Sequence, residues 1–178
     1  MAGTPQNKEK LNRTLEKVCN ILHTEGIKDW CIMYGTLLGI VRENGCIAGD
    51  DDIDIIINCE YSVLKALFKG YDFRFYRNGW GRRFRRTKHI LKTKPTDSFS
   101  SVDFYIADVN QEGIFDVRWM KNKISNCYVD LNKKTFVEKS WRSTILHLPN
   151  DYEDKLVSMY GDEWKIPKSG SCRMNFDF

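Results

Sequence analysis

Apolar residues at Leu11, Leu15, Val18, Cys19 and Leu22 recur at helical spacing and predict an amphipathic helix over 8–24, ended near Gly26. "DWCIMY" (29–34) reads as a short buried strand broken by Gly35-Thr36. "TLLGIVREN" then predicts a short helix before a turn at Asn44-Gly45. The clearest strand is "IDIIIN" (53–58), followed by a helix over 61–70 closed by glycine. Residues 71–94 alternate aromatic or apolar with basic positions around Asn78-Gly79, a pattern for paired antiparallel strands. "SVDFYIADV" (101–109) is another strand, with weaker ones expected near 114–119 and 125–130. After "STILHLP", the segment "NDYEDKLVSMYG" predicts a helix capped by Asn150 or Asp151 and ended by Gly161. This order of elements predicts a mixed α/β or α+β domain.

Composition narrows the class without naming a partner. At 178 residues the chain suits one domain with a real core. With 42% hydrophobic, 13% aromatic and 29% charged residues, wholesale disorder is excluded. The net charge of +4 is too modest to point to a polyanion by itself. No apolar run approaches the roughly eighteen residues of a membrane span, and Met1 to Lys10 lacks the apolar stretch of a secretory signal. Six cysteines without a CxxC support neither a disulfide framework nor a zinc site. They fit buried thiols of a reducing compartment, so a cytoplasmic location is expected, and the sequon at Asn12 is read as chance.

Charge distribution is more telling than its sum. Asp50, Asp51, Asp52 and Asp54 crowd the start of the 53–58 strand, with Glu43 just upstream. Ionised carboxylates at the mouth of an apolar core repel one another and call for a positive partner. Strand alternation points Asp52 and Asp54 to one face, a hard-oxygen pair suited to Mg²⁺ or Mn²⁺. Asp103, on a separate strand, is available as a third ligand if the strands lie side by side. Three such carboxylates can hold two metals about 4 Å apart for in-line phosphoryl transfer. A solvated acidic turn is the bland reading, and a calcium loop fits worse, since counting from Asp50 places Ile55 where glycine is needed and Tyr61 where glutamate is needed. Gly35 and Thr36 tilt the balance. A glycine followed by a hydroxyl residue at a helix start is an anion site, and beside a metal site it reads as a nucleotide-phosphate site.

"YGTLLGIVRENGCIAGDDDIDI" resembles the signature of the LicD family of the nucleotidyltransferase superfamily, which includes phosphocholine transferases and fukutin-type phosphoalditol transferases. "LPNDYEDKLVSMYGDEWKIP" is similar to that family's closing segment. The resemblance implies a single α+β domain over 1–178, a nucleotidyltransferase-like mixed sheet with flanking helices, with 1–7 flexible and 168–178 a tail. It implies that Gly35 and Thr36 cradle donor phosphate, and that Asp52, Asp54 and Asp103 bind Mg²⁺ or Mn²⁺ and carry catalysis. It further implies transfer of a phospho-alcohol group, such as phosphocholine or an alditol phosphate, from a CDP-linked donor to a glycan or glycoconjugate hydroxyl. Ala48-Gly49 departs from the family, which usually carries proline and tryptophan there, and this bears on the shape of the donor pocket.

Between Arg77 and Lys94 lie eight basic residues and no acid. Arg82, Arg83 and Arg85 are expected substrate-phosphate contacts, since the guanidinium fork suits phosphate. Arg42, between the glycine turn and the aspartates, is a further expected contact. The same stretch with Trp80 and Phe84 also fits an RNA-binding surface, or a solvated hairpin. Nucleic acid is nevertheless not the expected partner. The closest rival is an enzyme moving NMP from an NTP to a small molecule or protein. His23, His89 and His147 are scattered singly and read as packing or surface residues.

Overall fold

The computed structural model describes residues 5–76 and 88–167. Helix α1 (Pro5–Thr24) starts three residues earlier than the pattern predicts. It buries Leu11, Leu15, Val18, Cys19 and Leu22 completely, along the stripe their spacing defines. Strand β1 (Trp30–Ile32) is shorter than expected, because Met33 is already the cap of α2 (Tyr34–Glu43). Asn44 closes α2 in the left-handed region (φ 51°), at the predicted turn. Gly39 allows the returning loop to lie against α2, since a Cβ there would stand 2.6 Å from the Gly45 carbonyl.

Strand β2 (Asp52–Ile57) and helix α3 (Tyr61–Gly70) follow, then β3 (Ile90–Lys92), β4 (Ser101–Val109), β5 (Phe115–Val117) and β6 (Asn122–Ile124). These strands form a six-stranded mixed sheet in the order β1-β2-β4-β5-β6, with β3 also on β4. Only the β2–β4 pair is parallel among these. β2 lies between β1 and β4, and Ile53, Ile55, Ile56 and Ile57 are fully buried on its two faces. Residues Phe75 and Thr93 bridge antiparallel, which matches the expected pairing at the base of the 71–94 segment; its tip at Asn78-Gly79 lies outside the described residues.

The chain then makes a hairpin of β7 (Val137–Trp141) and β8 (Thr144–Leu148), which the hydrophobic pattern did not mark. The connecting Arg142 adopts φ 51° without a glycine or asparagine to signal the turn. β6 sits at 122–124 rather than in the expected 125–130, because Asn126 (φ 52°) turns the chain there. Helix α4 (Tyr152–Tyr160) ends at Gly161 (φ 82°) as expected. Asp151 is its cap residue, but in the left-handed region and without a side-chain capping bond. Among the described residues the five cysteines are free thiols and no helix is long and apolar enough to cross a membrane.

Candidate active site

The register of three strands assembles the site. Asp54 lies opposite Asp103 in the parallel β2–β4 pair, and Lys92 lies opposite Asp103 in the antiparallel β3–β4 pair. Directly opposed residues share a face, and Asp52 joins them by the two-residue repeat of a strand. Asp52, Asp54, Asp103 and Lys92 therefore project from one face at the start of β2. Tyr105 is on the same face, and its hydroxyl donates to Asp54 Oδ1 at 3.3 Å.

Helix α2 brings the glycine turn to this face. Met33 is extended, and Tyr34 begins the helix at φ 51°, a conformation costly for a bulky side chain and found where backbone strain serves a site. Next to it, a Cβ on Gly35 would stand 2.5 Å from Asp50 Oδ2 and 3.5 Å from Asp54 Oδ2. The missing side chain lets two carboxylates reach the first turn of α2, where the helix dipole is positive. Thr36 is buried, and its hydroxyl accepts the Asp54 N–H at 2.8 Å, which locks the helix to the strand. The hydroxyl proton remains for a second partner. Helix α1 steadies the loop before β2, as Asn7 donates to the Asp50 carbonyl at 2.8 Å and Asn12 Oδ1 accepts the Cys46 N–H at 2.8 Å.

A positive partner for the acidic cluster is now visible. Lys92 Nζ donates to Asp103 Oδ2 at 2.8 Å and to Asp52 Oδ2 at 3.1 Å. Burial alone would lower the Lys92 pKa, but Asp103 and Asp52 outweigh it and hold the ammonium above its ordinary range. One lysine does not offset five acids. Burial, and then repulsion from Asp52, push Asp50 and Asp103 up to about 6. Asp54 lies well above the usual carboxylate range through burial and then its neighbours Asp52, Asp50 and Asp103. Asp52 is raised by burial, with Lys92 opposing.

Asp50, Asp51 and Asp52 bring carboxylate oxygens within 4.8 Å of one another, the donor chemistry of a hard divalent cation, whereas the expected partners Asp54 and Asp103 lie outside that group of three. Asp103 Oδ1 is buried and has no hydrogen-bond partner among the described residues, a place for a cation or a proton. Asp51 joins Asp50 and Asp52 because Asp50 and Asp51 precede the strand and escape its alternation.

Gly35, Thr36, Asp52, Asp54 and Asp103 are thus brought together. Arg42 is engaged elsewhere: its guanidinium donates to Glu43 Oε1 at 2.7 Å and to the Trp164 carbonyl at 3.4 Å, tying α2 to the turn after α4. Arg82, Arg83 and Arg85 lie outside the described residues. Lys92 and Tyr105 join the site without a signal in the sequence pattern to mark them. Lys92 was one of eight basic residues in its stretch, and only its register opposite Asp103 distinguishes it.

A mixed sheet with paired strand carboxylates beside a glycine-turn helix defines a transferase of nucleotidyltransferase-like fold. The crystal structure of the lincosamide antibiotic adenylyltransferase LnuA, bound to lincomycin, shares this fold with a TM-score of 0.53 and 12% identity, over 81% of this chain and 83% of that one. The LicD/FKTN/FKRP nucleotidyltransferase domain matches residues 27–152, and the chain belongs to that family. This stretch holds Asp50, Asp51, Asp52, Asp54 and Asp103 together with Lys92, and it ends at Tyr152, five residues into the closing segment 148–167. No curated protein is similar enough in sequence to match the chain.

Proposed function

We propose that the protein is a metal-dependent phosphotransferase that moves a phospho-alcohol group from a CDP-linked donor to a glycan hydroxyl. The observation that carries this reading is the alignment of Asp52, Asp54 and Asp103 on one face beside the first turn of α2. Asp52 and Asp54 would hold Mg²⁺ or Mn²⁺, with Asp50 close enough to Asp52 to share in it, which leaves Asp103 to act as the base. The metal supplies charge neutralisation on the transferring phosphoryl group. Gly35 and the free N–H groups of α2 receive donor phosphate, and the Thr36 hydroxyl proton is there to be donated. Asp103 Oδ1 accepts the proton of the acceptor hydroxyl as its oxygen attacks the phosphorus nearer the alcohol. The bond from that phosphorus to CMP breaks, and CMP leaves with the electron pair. Lys92 stands where charge accumulates on the phosphoryl oxygens. It is the cation already present when metal is not.

The extent of the family match favours phospho-alcohol transfer over NMP transfer, because it reaches past a generic Asp-x-Asp site into "IVRENG". The test is ligand-induced stabilisation. With Mn²⁺ present, a CDP-linked alcohol (CDP-choline or CDP-ribitol) raises the melting temperature more than CTP or ATP at equal concentration. A larger shift with a nucleoside triphosphate points to NMP transfer instead.

A further inference from the structure

Tyr34 stands between two spaces. On one side its ring meets the Tyr105 ring edge-on at 5.2 Å, and the Tyr105 hydroxyl in turn reaches Asp54. On the other side it lines a cavity of about 290 Å³ enclosed by the chain around β6 and one face of α4. The carboxylate cluster and this cavity thus share a wall of two tyrosines. Nothing in the site described so far uses the cavity.

Its chemistry is particular. Met33, Tyr34 and Met159 make a buried apolar floor. Asn122, Lys123 and Ser125 on one wall, with Asp154, Lys155 and Ser158 on the other, supply donors and acceptors of both charge signs and none. Two buried polar atoms of the lining are unsatisfied among the described residues. The Tyr34 hydroxyl lies beside the Asn122 amide without closing a hydrogen bond to it, and Asn122 Oδ1 has no donor. Tyr34 is 1% exposed, so the unpartnered hydroxyl is a donor held in a nearly dry place. Buried polar groups are normally paired, and a pair left open in a cavity wall marks where a ligand's polar atoms belong.

We infer that this cavity is the subsite for one uncharged polyhydroxyl unit, a sugar or alditol residue of the acceptor. The inference rests on the phosphotransferase reading for the word acceptor, and on the cavity alone for the polyhydroxyl class. Alternating acceptors and donors above an apolar floor suit hydroxyls on a carbon ring or chain. A phosphate group would find no net positive charge, since Lys123 and Lys155 of the lining are balanced by Asp151 and Asp154. A nucleobase would need an open aromatic face, whereas the Tyr34 ring is buried against Tyr105. The volume, at the lower end of the roughly 300–1,000 Å³ of small-molecule pockets, suits one such unit.

The test is ligand-observed NMR with ribitol, galactose and N-acetylgalactosamine, in the absence of nucleotide. Saturation transfer to at least one of them is expected with the native protein and with Asp52→Asn, whose metal site is disabled. Ser158→Trp fills the cavity from the exposed side of α4 and is expected to weaken that binding at least tenfold while keeping the native melting temperature. It leaves Mn²⁺ and CDP-alcohol binding unchanged. Asn122→Ala, which removes an open acceptor without adding bulk, gives a smaller loss and guards against misfolding of the tryptophan variant. No transfer to any of the three compounds, or equal transfer in Ser158→Trp, overturns the inference. So does loss of CDP-alcohol binding in Ser158→Trp, which would make the cavity part of the donor site. Sugar binding in a protein that binds neither Mn²⁺ nor CDP-alcohol would uphold the cavity and end the phosphotransferase reading.

Discussion

At the scale of single residues, the five aspartates are not equivalent. Asp52 has Lys92 as a partner, whereas Asp54 has a tyrosine hydroxyl and three neighbouring acids. Asp52→Asn and Asp54→Asn are both expected to abolish Mn²⁺ binding in calorimetry and to cut turnover by on the order of 10³-fold, the loss of about 4 kcal/mol of charge stabilisation. Without metal, Asp54→Asn melts above the native protein because a buried, repelled charge is gone. Unfolding of both variants would make the cluster structural. Lys92→Ala acts in the opposite sense, since it leaves Asp52 and Asp103 facing each other without a cation. Metal-free stability falls by about 1–3 kcal/mol, and Mn²⁺ binds at least as tightly because its internal competitor is gone. Weaker Mn²⁺ binding in that variant contradicts the competition. The Asp52 and Asp54 pair was readable from its strand parity, whereas Asp103 also needed the two strands to be neighbours. Lys92 was not readable, because a residue's role across three strands depends on register, which local pattern does not carry.

At the scale of elements, two glycines of α2 separate scaffold from site. A Cβ on Gly39 would collide with backbone at 2.6 Å, so Gly39→Ala forces α2 and its following loop apart and costs about 1–3 kcal/mol of stability. A Cβ on Gly35 would collide at 2.5 Å with the end of the Asp50 side chain, which can rotate away. Gly35→Ala is therefore expected to melt within a few degrees of the native protein while losing Mn²⁺ affinity and most activity. Equal destabilisation by the two variants, measured by denaturant titration, would remove the distinction. Elements with a strong period were legible in advance: α1 from its apolar stripe, β2 from its isoleucines, α4 from its glycine stop. The β7–β8 hairpin was not, since its turn at Arg142 uses a left-handed residue with no glycine signal. The strained start of α2 was hidden for the same reason: Tyr34 reads as the end of a strand, and only its backbone angle reveals the sharp turn that aims Gly35 at the aspartates.

At the scale of the whole molecule, a sheet that ends in desolvated acids should be sensitive to pH until a cation arrives. Asp50 and Asp103 titrate near 6 in the folded protein, against 3.8 for the free side chain. A carboxyl whose pKa is raised by folding contributes stability below its unfolded value and loses it as pH rises through the folded value. The metal-free protein is therefore expected to lose several degrees of melting temperature between pH 5 and 7.5. Saturating Mg²⁺ flattens or reverses that slope, because metal binds the ionised form. A metal-free profile that rises over this interval would mean the acids are solvated and unstrained. The fold class and family were legible from two short segments, but the acceptor cavity was not, since it is built from Met33 and Tyr34, the chain around β6, and α4, which no local pattern links. What leaves the donor separates phospho-alcohol transfer from nucleotidyl transfer. Native protein is incubated with CDP-ribitol or CDP-choline, Mn²⁺ and a glycan acceptor, and in parallel with CTP and the same acceptor, with products resolved by chromatography. Release of CMP from the CDP-alcohol, dependent on Asp52 and accompanied by a phosphodiester on the acceptor, is the predicted result. Pyrophosphate from CTP with a nucleotidylated acceptor, and no CMP from either CDP-alcohol, would contradict it.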